Sequence, residues 1–349
     1  MKRRVIATGN SLREVYVSLE EKPLVVVTVA SGATIATALV LASIGGWPSF
    51  VRRLEARHSW GWLAVCLLGE LAAYLGYVLT LRDVARVDAG PNMDLAVSAK
   101  TVVAGFGVFA ATRSSGGFAV DYWAFRRAGA NRRDAAGRVF ALGFLEYAML
   151  GIAALAASAL LFLHLDGHAS NAMTLPSLTI IPVFALALWL TSPKRAQRLR
   201  HVDRDAGRIR RSFANAVRGA SNVRTLLTSP REHGIGVFGS GLYWAGDIVC
   251  LWAALQVVGG QAVSAAALVL AYTGGYVLTR RALPAGGAGI VEVALTFALV
   301  TVGLHFVPAL IAVLIYRLFN FWLPIVPALA LMPTIRHLRS RFNDAKQVT

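Results

Sequence analysis

Apolar residues occur along this chain in runs long enough to cross a lipid bilayer. The plainest run is Leu24–Ile44, which contains 21 residues and no charged side chain. About 20 apolar residues span a hydrocarbon core, and inside lipid their backbone polar groups must be paired within a helix or a closed barrel. The runs are continuous rather than alternating, which excludes a barrel. The pattern therefore predicts an all-α, polytopic membrane protein.

Further apolar runs divide the rest of the chain into candidate spans. The longer ones are Trp60–Thr80, Val139–Leu163, Leu175–Thr191, Ile235–Val258 and Val307–Met332. Shorter ones, which contain or adjoin glycine, are Ala96–Thr112, Ala262–Thr279 and Ala288–Val302. The segment Leu81–Leu95 is charged and mixed, which favours a helix lying on the membrane surface. We expect about 6–8 transmembrane helices.

The basic residues orient these spans. Pro193–His233 contains eleven Lys or Arg against three acidic residues, and such loops face the cytoplasm. The segment 113–138 is also basic, whereas 166–174 contains no Lys or Arg. We therefore expect Val139–Leu163 to run outward and Leu175–Thr191 to return.

One or two segments are predicted to be re-entrant. With a cytoplasmic N-terminus, Ala96–Thr112 must enter and leave the membrane from the cytoplasmic side. The segment 262–302 is either two full spans or one re-entrant pair, and both alternatives leave the C-terminus in the cytoplasm. We favour the second, because it makes the two halves an inverted repeat, each with a glycine break beside arginine. Such repeats with broken helices are typical of transporters.

We expect one integral membrane domain over residues 1–349, in the cytoplasmic (inner) membrane with both termini in the cytoplasm. Its expected parts are a first half at 24–192, a basic cytoplasmic loop at 193–233, a second half at 234–333 and a basic cytoplasmic tail at 334–349.

Composition agrees with a membrane protein and excludes other classes. The chain is 56% hydrophobic and 15% charged, with a net charge of +17. Because the basic residues lie between apolar runs, we expect no nucleic-acid partner, whereas anionic lipid headgroups are a compatible one. Cys66 and Cys250 fall inside predicted spans and show no disulfide or metal pattern. We expect no metal and no cofactor.

The most specific motif runs from Arg280 to Glu292 and reads Arg-Arg-Ala-Leu-Pro-Ala-Gly-Gly-Ala-Gly-Ile-Val-Glu. The last apolar run then contains Tyr316-Arg317-Leu318-Phe319. Together these motifs resemble the lysylphosphatidylglycerol synthase transmembrane-region family, the flippase-like membrane domain of bacterial multiple-peptide-resistance proteins and stand-alone relatives. Members carry Leu-Pro-Gly-Gly-x-Gly-x-x-Glu here, and this chain has Ala285 inserted.

The first half resembles the family more loosely. Where members usually have Gly-Glu after the glycine turn, Gly117 is followed by Phe118 and the next acid is Asp121. The resemblance implies movement or binding of a phospholipid, or of a polyprenyl or hopanoid-type lipid. The sequence shows no soluble aminoacyl-transferase domain, so the resemblance does not imply synthase activity.

Arginine and glycine at the motif are candidate ligands for a lipid headgroup. Arg280 and Arg281 are either cytoplasmic anchors or phosphate ligands, since a guanidinium donates bidentately and a helix N-terminus follows. Gly286, Gly287 and Gly289 either break the helix and let a ligand approach the backbone or allow close helix packing. The adjacent proline favours a break.

Ionisable residues inside spans are costly and are therefore functional candidates. Arg317 needs a partner, and Glu292 or Asp247 is the natural candidate, although Arg317 is also a candidate headgroup ligand. Arg113, beside the first glycine turn, is another candidate ligand. Glu146 is expected to pair with Arg113 or Arg138, or to carry a proton.

Three functions remain open. The first is flippase-like translocation of an anionic lipid between the two glycine-broken elements. The second is a membrane-embedded lipid-modifying enzyme, but His164, His168 and His305 are too scattered to form a centre, and we expect no catalytic activity. The third is an accessory subunit that recruits a lipid or glycan synthase through 193–233.

Overall fold

The computed structural model describes residues 59–111, 115–166, 179–190, 208–260, 263–277 and 287–328, with isolated positions besides. Within these ranges the chain is helical and contains no strand. The helices are α1 Ser59–Arg86, α2 Leu95–Ala111, α3 Ser115–Arg127, α4 Arg132–Phe162, α5 Ile180–Leu190, α6 Arg208–Thr228, α7 Pro230–Val257, α8 Ala265–Tyr272, α9 Ile290–Thr301 and α10 Phe306–Arg317.

Four helical segments of the described ranges are long and apolar enough to cross a membrane. They are Trp60–Ala89, Arg132–Phe162, Arg231–Val257 and Phe306–Ala328. The last of these joins α10 to the helical turns that follow it. The prediction of an all-α polytopic membrane protein is confirmed. The predicted span Leu24–Ile44 lies outside the described residues.

The helices α1 and α7 pack against each other in antiparallel orientation and make the most extensive helix contact among the described residues. Glycines at the contact let the two backbones approach closely. A Cβ on Gly69 would lie 2.7 Å from the carbonyl oxygen of Gly246, and a Cβ on Gly76 would meet the carbonyl oxygen of Gly239. No side chain fits at these points.

The second half repeats the element order of the first. A long helix, two short helices and a long helix occur as α1–α4 and again as α7–α10, if α10 is taken with the turns that extend it to Ala328. Gly69 and Gly76 of α1 have counterparts in Gly239 and Gly246 of α7, in each case 170 positions further along the chain. The same offset relates the pair 116–117 to the pair 286–287. Because α1 and α7 are antiparallel, the repeat is inverted.

The short helices form packed pairs. Helix α2 packs on α3, and α8 with its following turn packs on α9. In the second pair, Gly275 lies against the backbone of Leu295. Helix α9 has 12 residues, which corresponds to about 18 Å at 1.5 Å per residue, well below the ~30 Å of a hydrocarbon core. The structure thus favours the re-entrant pair over two full spans.

The prediction of a surface helix at Leu81–Leu95 is wrong. Helix α1 continues to Arg86, and Leu81 is completely buried. One acid of this stretch, Asp83, is buried as well, and its Oδ2 atom accepts a hydrogen bond from the Gly236 amide at 2.7 Å. A sequence window counts Asp83 as exposed because the partner amide lies on a distant helix.

The predicted loop at 193–233 is also largely helical. Within its described part, α6 occupies Arg208–Thr228 and α7 begins at Pro230, while 193–207 lies outside the described residues. Apolar Val217, Val223 and Leu226 of α6 are buried. Their helical spacing among arginines makes α6 amphipathic, a signal that the basic composition conceals.

Candidate functional site

A buried ion pair joins the last span to the short helix α9. The Arg317 Nε atom donates to Glu292 Oε1 at 2.8 Å. The Arg317 side chain is 1% exposed and the Glu292 side chain 0%. The Arg317 guanidinium carbon also lies 4.3 Å from the centre of the Phe321 ring. Of the two partners expected for Arg317, the structure selects Glu292.

Glu292 also binds the start of its own helix. Its Oε2 atom accepts a hydrogen bond from the Gly289 amide at 2.7 Å. Gly287 and Gly289 have φ angles of 70° and 85°, in the left-handed region that favours glycine. The motif is therefore a true helix break. It places an arginine, a carboxylate and a helix N-terminus at one buried point.

A second buried cluster surrounds Asp247 of α7, whose exposure is 0%. Asp247 Oδ1 accepts hydrogen bonds from the Tyr316 hydroxyl at 2.9 Å and from Asn320 Nδ2 at 2.7 Å. Asp247 Oδ2 accepts from the Tyr272 hydroxyl. The Tyr276 hydroxyl donates to Asn320 Oδ1 at 2.6 Å. The cluster joins α7, the α8 segment and the last span.

The Asp247 cluster includes residues of two widened helical turns. The helix α8 continues as a π turn over Thr273–Val277, and α10 continues as a π turn over Leu318–Trp322. Tyr276 and Asn320, which bond each other, lie in these two turns. Short π segments inside helices are frequent at functional sites. Arg317 directly precedes the second turn, and Asn320 within that turn bonds Asp247. The ion pair and the Asp247 cluster are therefore adjacent along the last span.

The sequence model of the family described as lysylphosphatidylglycerol synthase TM region matches residues 24–328. The chain belongs to this family. The resemblance seen in the glycine motif is thereby confirmed, and membership makes a lipid-related function in the membrane the general assignment. None of the curated proteins compared with the chain matches it.

In this member of the family, the first half has a polar contact of its own. The Tyr77 hydroxyl of α1 donates to Asp121 Oδ2 of α3 at 2.9 Å, and Asp121 is 2% exposed. Tyr77 lies 170 positions before Asp247. The acid that departs from the family pattern is thus buried and bonded to α1.

Glu146 is buried on α4, and its main-chain carbonyl accepts from the Trp244 indole at 2.7 Å. Of its two expected partners, Arg113 lies outside the described residues, and the described contacts of Arg138 are with main-chain carbonyls. The Arg138 guanidinium instead donates to the carbonyl oxygens of Ala85 at 3.1 Å and Val87 at 2.9 Å. These carbonyls lie at the open end of α1, where a guanidinium binds favourably.

The structure brings together Arg317, Glu292 and the helix break at Gly287 and Gly289. Asp247 of α7 contacts the same last span through Tyr316 and Asn320. Arg113, Arg280, Arg281 and Gly286 lie outside the residues whose side chains the structure describes. Among the described residues, no three His, Cys, Asp or Glu side chains are grouped as metal ligands.

The tyrosine and asparagine partners of Asp247 were not predicted. A signal for them existed, because Tyr272 and Tyr276 are four residues apart, as are Tyr316 and Asn320. This spacing places each pair on one helix face. Nothing in the spacing indicates that both faces meet at the same carboxylate.

Proposed function

We propose that this protein translocates the headgroup of an anionic lipid across the membrane while the acyl chains stay in the bilayer. The main observation in support of this proposal is the buried Arg317–Glu292 ion pair at the start of α9, where glycines break the helix. The candidate lipids are a phospholipid, a polyprenyl phosphate or a hopanoid-type lipid. The proposal is a transport function and includes no chemical step.

The cost of burying charge supports this role. Ionisable residues inside a membrane are expensive and mark substrate pathways by default. A guanidinium and a helix N-terminus both bind phosphate well, and here they converge on one carboxylate. The Glu292 carboxylate accepts hydrogen bonds from Arg317 and from the Gly289 amide. A lipid phosphate is also an anion with several acceptor oxygens, so it could replace the carboxylate at these donors. Arg280 and Arg281 precede the break and supply further positive charge.

The inverted repeat supplies the means of switching access. In transporters with such repeats, one half moves against the other around a central site. Here α1 and α7 cross through glycine contacts, and each half carries a short helix pair. Charged side chains of both halves are buried among the described helices, including Asp121, Glu146, Asp247, Glu292 and Arg317.

The test is movement of fluorescent anionic phospholipid headgroups in proteoliposomes, read by quenching from outside. The variants are Arg281→Ala and the double variant Arg317→Met with Glu292→Gln, which keeps the buried site neutral. We expect each to lower the rate at least about tenfold, because a hydrogen bond to a charged group contributes about 1.5–3 kcal/mol. Arg86→Ala is the matched control, because Arg86 is exposed and bonds Asn92.

Rates in the wild type no faster than in empty liposomes, for phospholipid and polyprenyl phosphate alike, contradict the proposal. That result favours the second candidate, an accessory subunit for a lipid or glycan synthase. The observation on its side is α6, which packs its apolar face inward and carries arginine over much of its length. A synthase partner would then bind this basic helix.

A further inference from the structure

The inverted repeat predicts that contacts between the two halves come in equivalent pairs. Positions 170 apart correspond, so the contact of α4 with α8 has its counterpart in a contact of the last span, 306–328, with α2. The first contact lies where α4 ends and α8 begins, and the second would lie where the last span ends and α2 begins. The positive-inside rule predicts that the first side is the outer one and the second side the cytoplasmic one.

On the outer side the two halves are packed together. Asp166, which follows α4, also joins them by a hydrogen bond, because its Oδ2 atom accepts from the Ala266 amide at 2.8 Å. The side chains of this contact are buried in one cluster, the outer seam, which contains Ala154, Ala157 and Leu161 of α4 and Ala266, Ala267 and Leu270 of α8.

The equivalent positions on the cytoplasmic side are not packed in this way. They are Ala96, Val97 and Lys100 of α2 and Pro324 and Pro327 of the last span, and together they form the inner seam. Val97 is 53% exposed, and Ala96, Lys100 and Pro327 are exposed as well. Within the described ranges, α2 packs on α1 and α3 but makes no comparable contact with the last span.

The starts of the two equivalent short helices are bound by different partners. The Ala266 amide of α8 is bound by Asp166, which belongs to the other half of the protein. The equivalent amide of Ala96 is bound at 2.9 Å by Asp94, which directly precedes its own helix. Helix α8 is therefore attached to the opposite half, whereas the start of α2 is attached to its own segment.

The central helices show the same difference. Helix α7 packs on α4, whereas the most extensive described contact of its counterpart α1 with the last span is at the turn Leu318–Trp322. The two halves thus contain the same elements but pack on each other unequally at the two sides. Transporters with inverted repeats show this kind of asymmetry in each of their two end states.

The outer seam has the properties of a contact that separates. Four of its six cluster residues are alanine, and small residues let helices approach closely while each buries little apolar surface. Helix α8 leads through Thr273–Val277 to the break at which Glu292 binds Arg317. Separation of α8 from α4 therefore opens a path from the candidate headgroup site to the outer side.

The inner seam has the chemistry of an entrance for an anionic lipid. Lys100 occupies the position that Leu270 has in the outer seam, and its side chain is exposed. A lysine near the cytoplasmic surface attracts anionic headgroups of that leaflet.

We infer that the outer seam and the inner seam are the two gates of the transport path, that they close alternately, and that the headgroup enters through the inner seam from the cytoplasmic leaflet. This inference rests on the proposed transport function. In the arrangement described here the outer gate is closed. When α2 packs on the last span, α8 separates from α4 and the headgroup leaves to the outer side.

The first test bridges the outer seam. Asp166 is half-buried and Ala265 exposed, and both are changed to cysteine in the double variant Asp166→Cys with Ala265→Cys. A short bifunctional methanethiosulfonate joins the two cysteines, and a reductant removes it. We expect the bridge to lower the movement of fluorescent phosphatidylglycerol in proteoliposomes to the rate of empty liposomes, and the reductant to restore it. The matched control is Phe162→Cys with Leu165→Cys, whose bridge stays at the end of α4 and leaves the rate unchanged.

The second test measures alternation without lipid transport. The variant Val97→Cys with Pro327→Cys places cysteines at the inner seam, and we expect the same reagent to join them in detergent as molecules pass through the opposite state. In the variant with all four cysteines, a bridge made first at the outer seam prevents the inner bridge, as read by mass spectrometry of peptides. The order of reagent addition is the only difference between the compared samples, so misfolding cannot produce this result.

The outcomes separate this inference from the proposed function. Absence of lipid movement in the wild type refutes transport and the gates with it. Lipid movement that continues through the outer bridge refutes the gates alone. The same holds if both bridges form in one molecule, or if the inner cysteines never join.

Discussion

At the scale of single residues, the protein buries charged side chains within its membrane-spanning part and pairs them with each other. Arg317 and Glu292 bond each other at 2.8 Å with almost no exposure. Breaking such a pair leaves one buried charge uncompensated, which costs far more than the intact pair contributes. The same pair lies at the candidate headgroup site, so its structural and functional roles must be separated by experiment.

The variant Glu292→Gln is expected to lower the free energy of unfolding by about 3–5 kcal/mol, because the Arg317 charge remains buried without its partner. The double variant Glu292→Gln with Arg317→Met removes both charges and keeps an acceptor for the Gly289 amide. It is expected to recover most of the loss. Thermal unfolding midpoints in detergent check this, and equal midpoints for the single and double variants contradict it.

At the scale of elements, close backbone contact between α1 and α7 organises the fold. A Cβ on Gly76 would lie 2.5 Å from the Tyr243 amide nitrogen and would also meet the Gly239 carbonyl. Both are backbone atoms of a long helix, so neither can move away cheaply. By contrast, a Cβ on Gly61, near the start of α1, meets no atom within 4 Å.

This difference predicts opposite effects for two identical substitutions on one helix. Gly76→Ala is expected to destabilise by about 1–3 kcal/mol, as overpacked sites do. Gly61→Ala is expected to stabilise by up to about 1 kcal/mol, because alanine is the better helix former. Thermal unfolding of the purified variants measures both signs. A neutral Gly76→Ala would show that α1 and α7 do not pack as closely as described.

At the scale of the whole molecule, the inverted repeat determines which ends share a membrane face. Because α1 and α7 are antiparallel, the start of α1 and the end of α7 lie on one side. The end of α1, the start of α7 and the basic helix α6 lie on the other side. The positive-inside rule predicts that this second side faces the cytoplasm.

Single cysteines therefore have predictable accessibility. Cysteine at Gly61 or Gly260 is expected to react with a membrane-impermeant maleimide in intact cells. Cysteine at Asp88 or Glu232 is expected to react only after the membrane is opened. The native cysteines are both 0% exposed and are a suitable low background. Reaction of Gly61 and Gly260 variants from opposite sides would contradict the antiparallel repeat.

The amino-acid sequence by itself determined the features that depend on local composition. Runs of apolar residues specify membrane helices because lipid cannot satisfy backbone polar groups. The glycines at 287 and 289 specify a helix break because their backbone angles are costly for other residues. The family motif and the paired glycine breaks likewise follow from residues close together in the chain, as does the expectation of an inverted repeat.

Only the tertiary structure decided which distant groups meet. It paired Arg317 with Glu292, surrounded Asp247 with two tyrosines and an asparagine, and buried Asp83 beside an amide of α7. A local sequence pattern predicts only that a charged residue is exposed or costly to bury. The actual free energy of burying it depends on partners many positions away in the chain. The partner is chosen by how the helices pack, and that packing is a property of the folded chain as a whole.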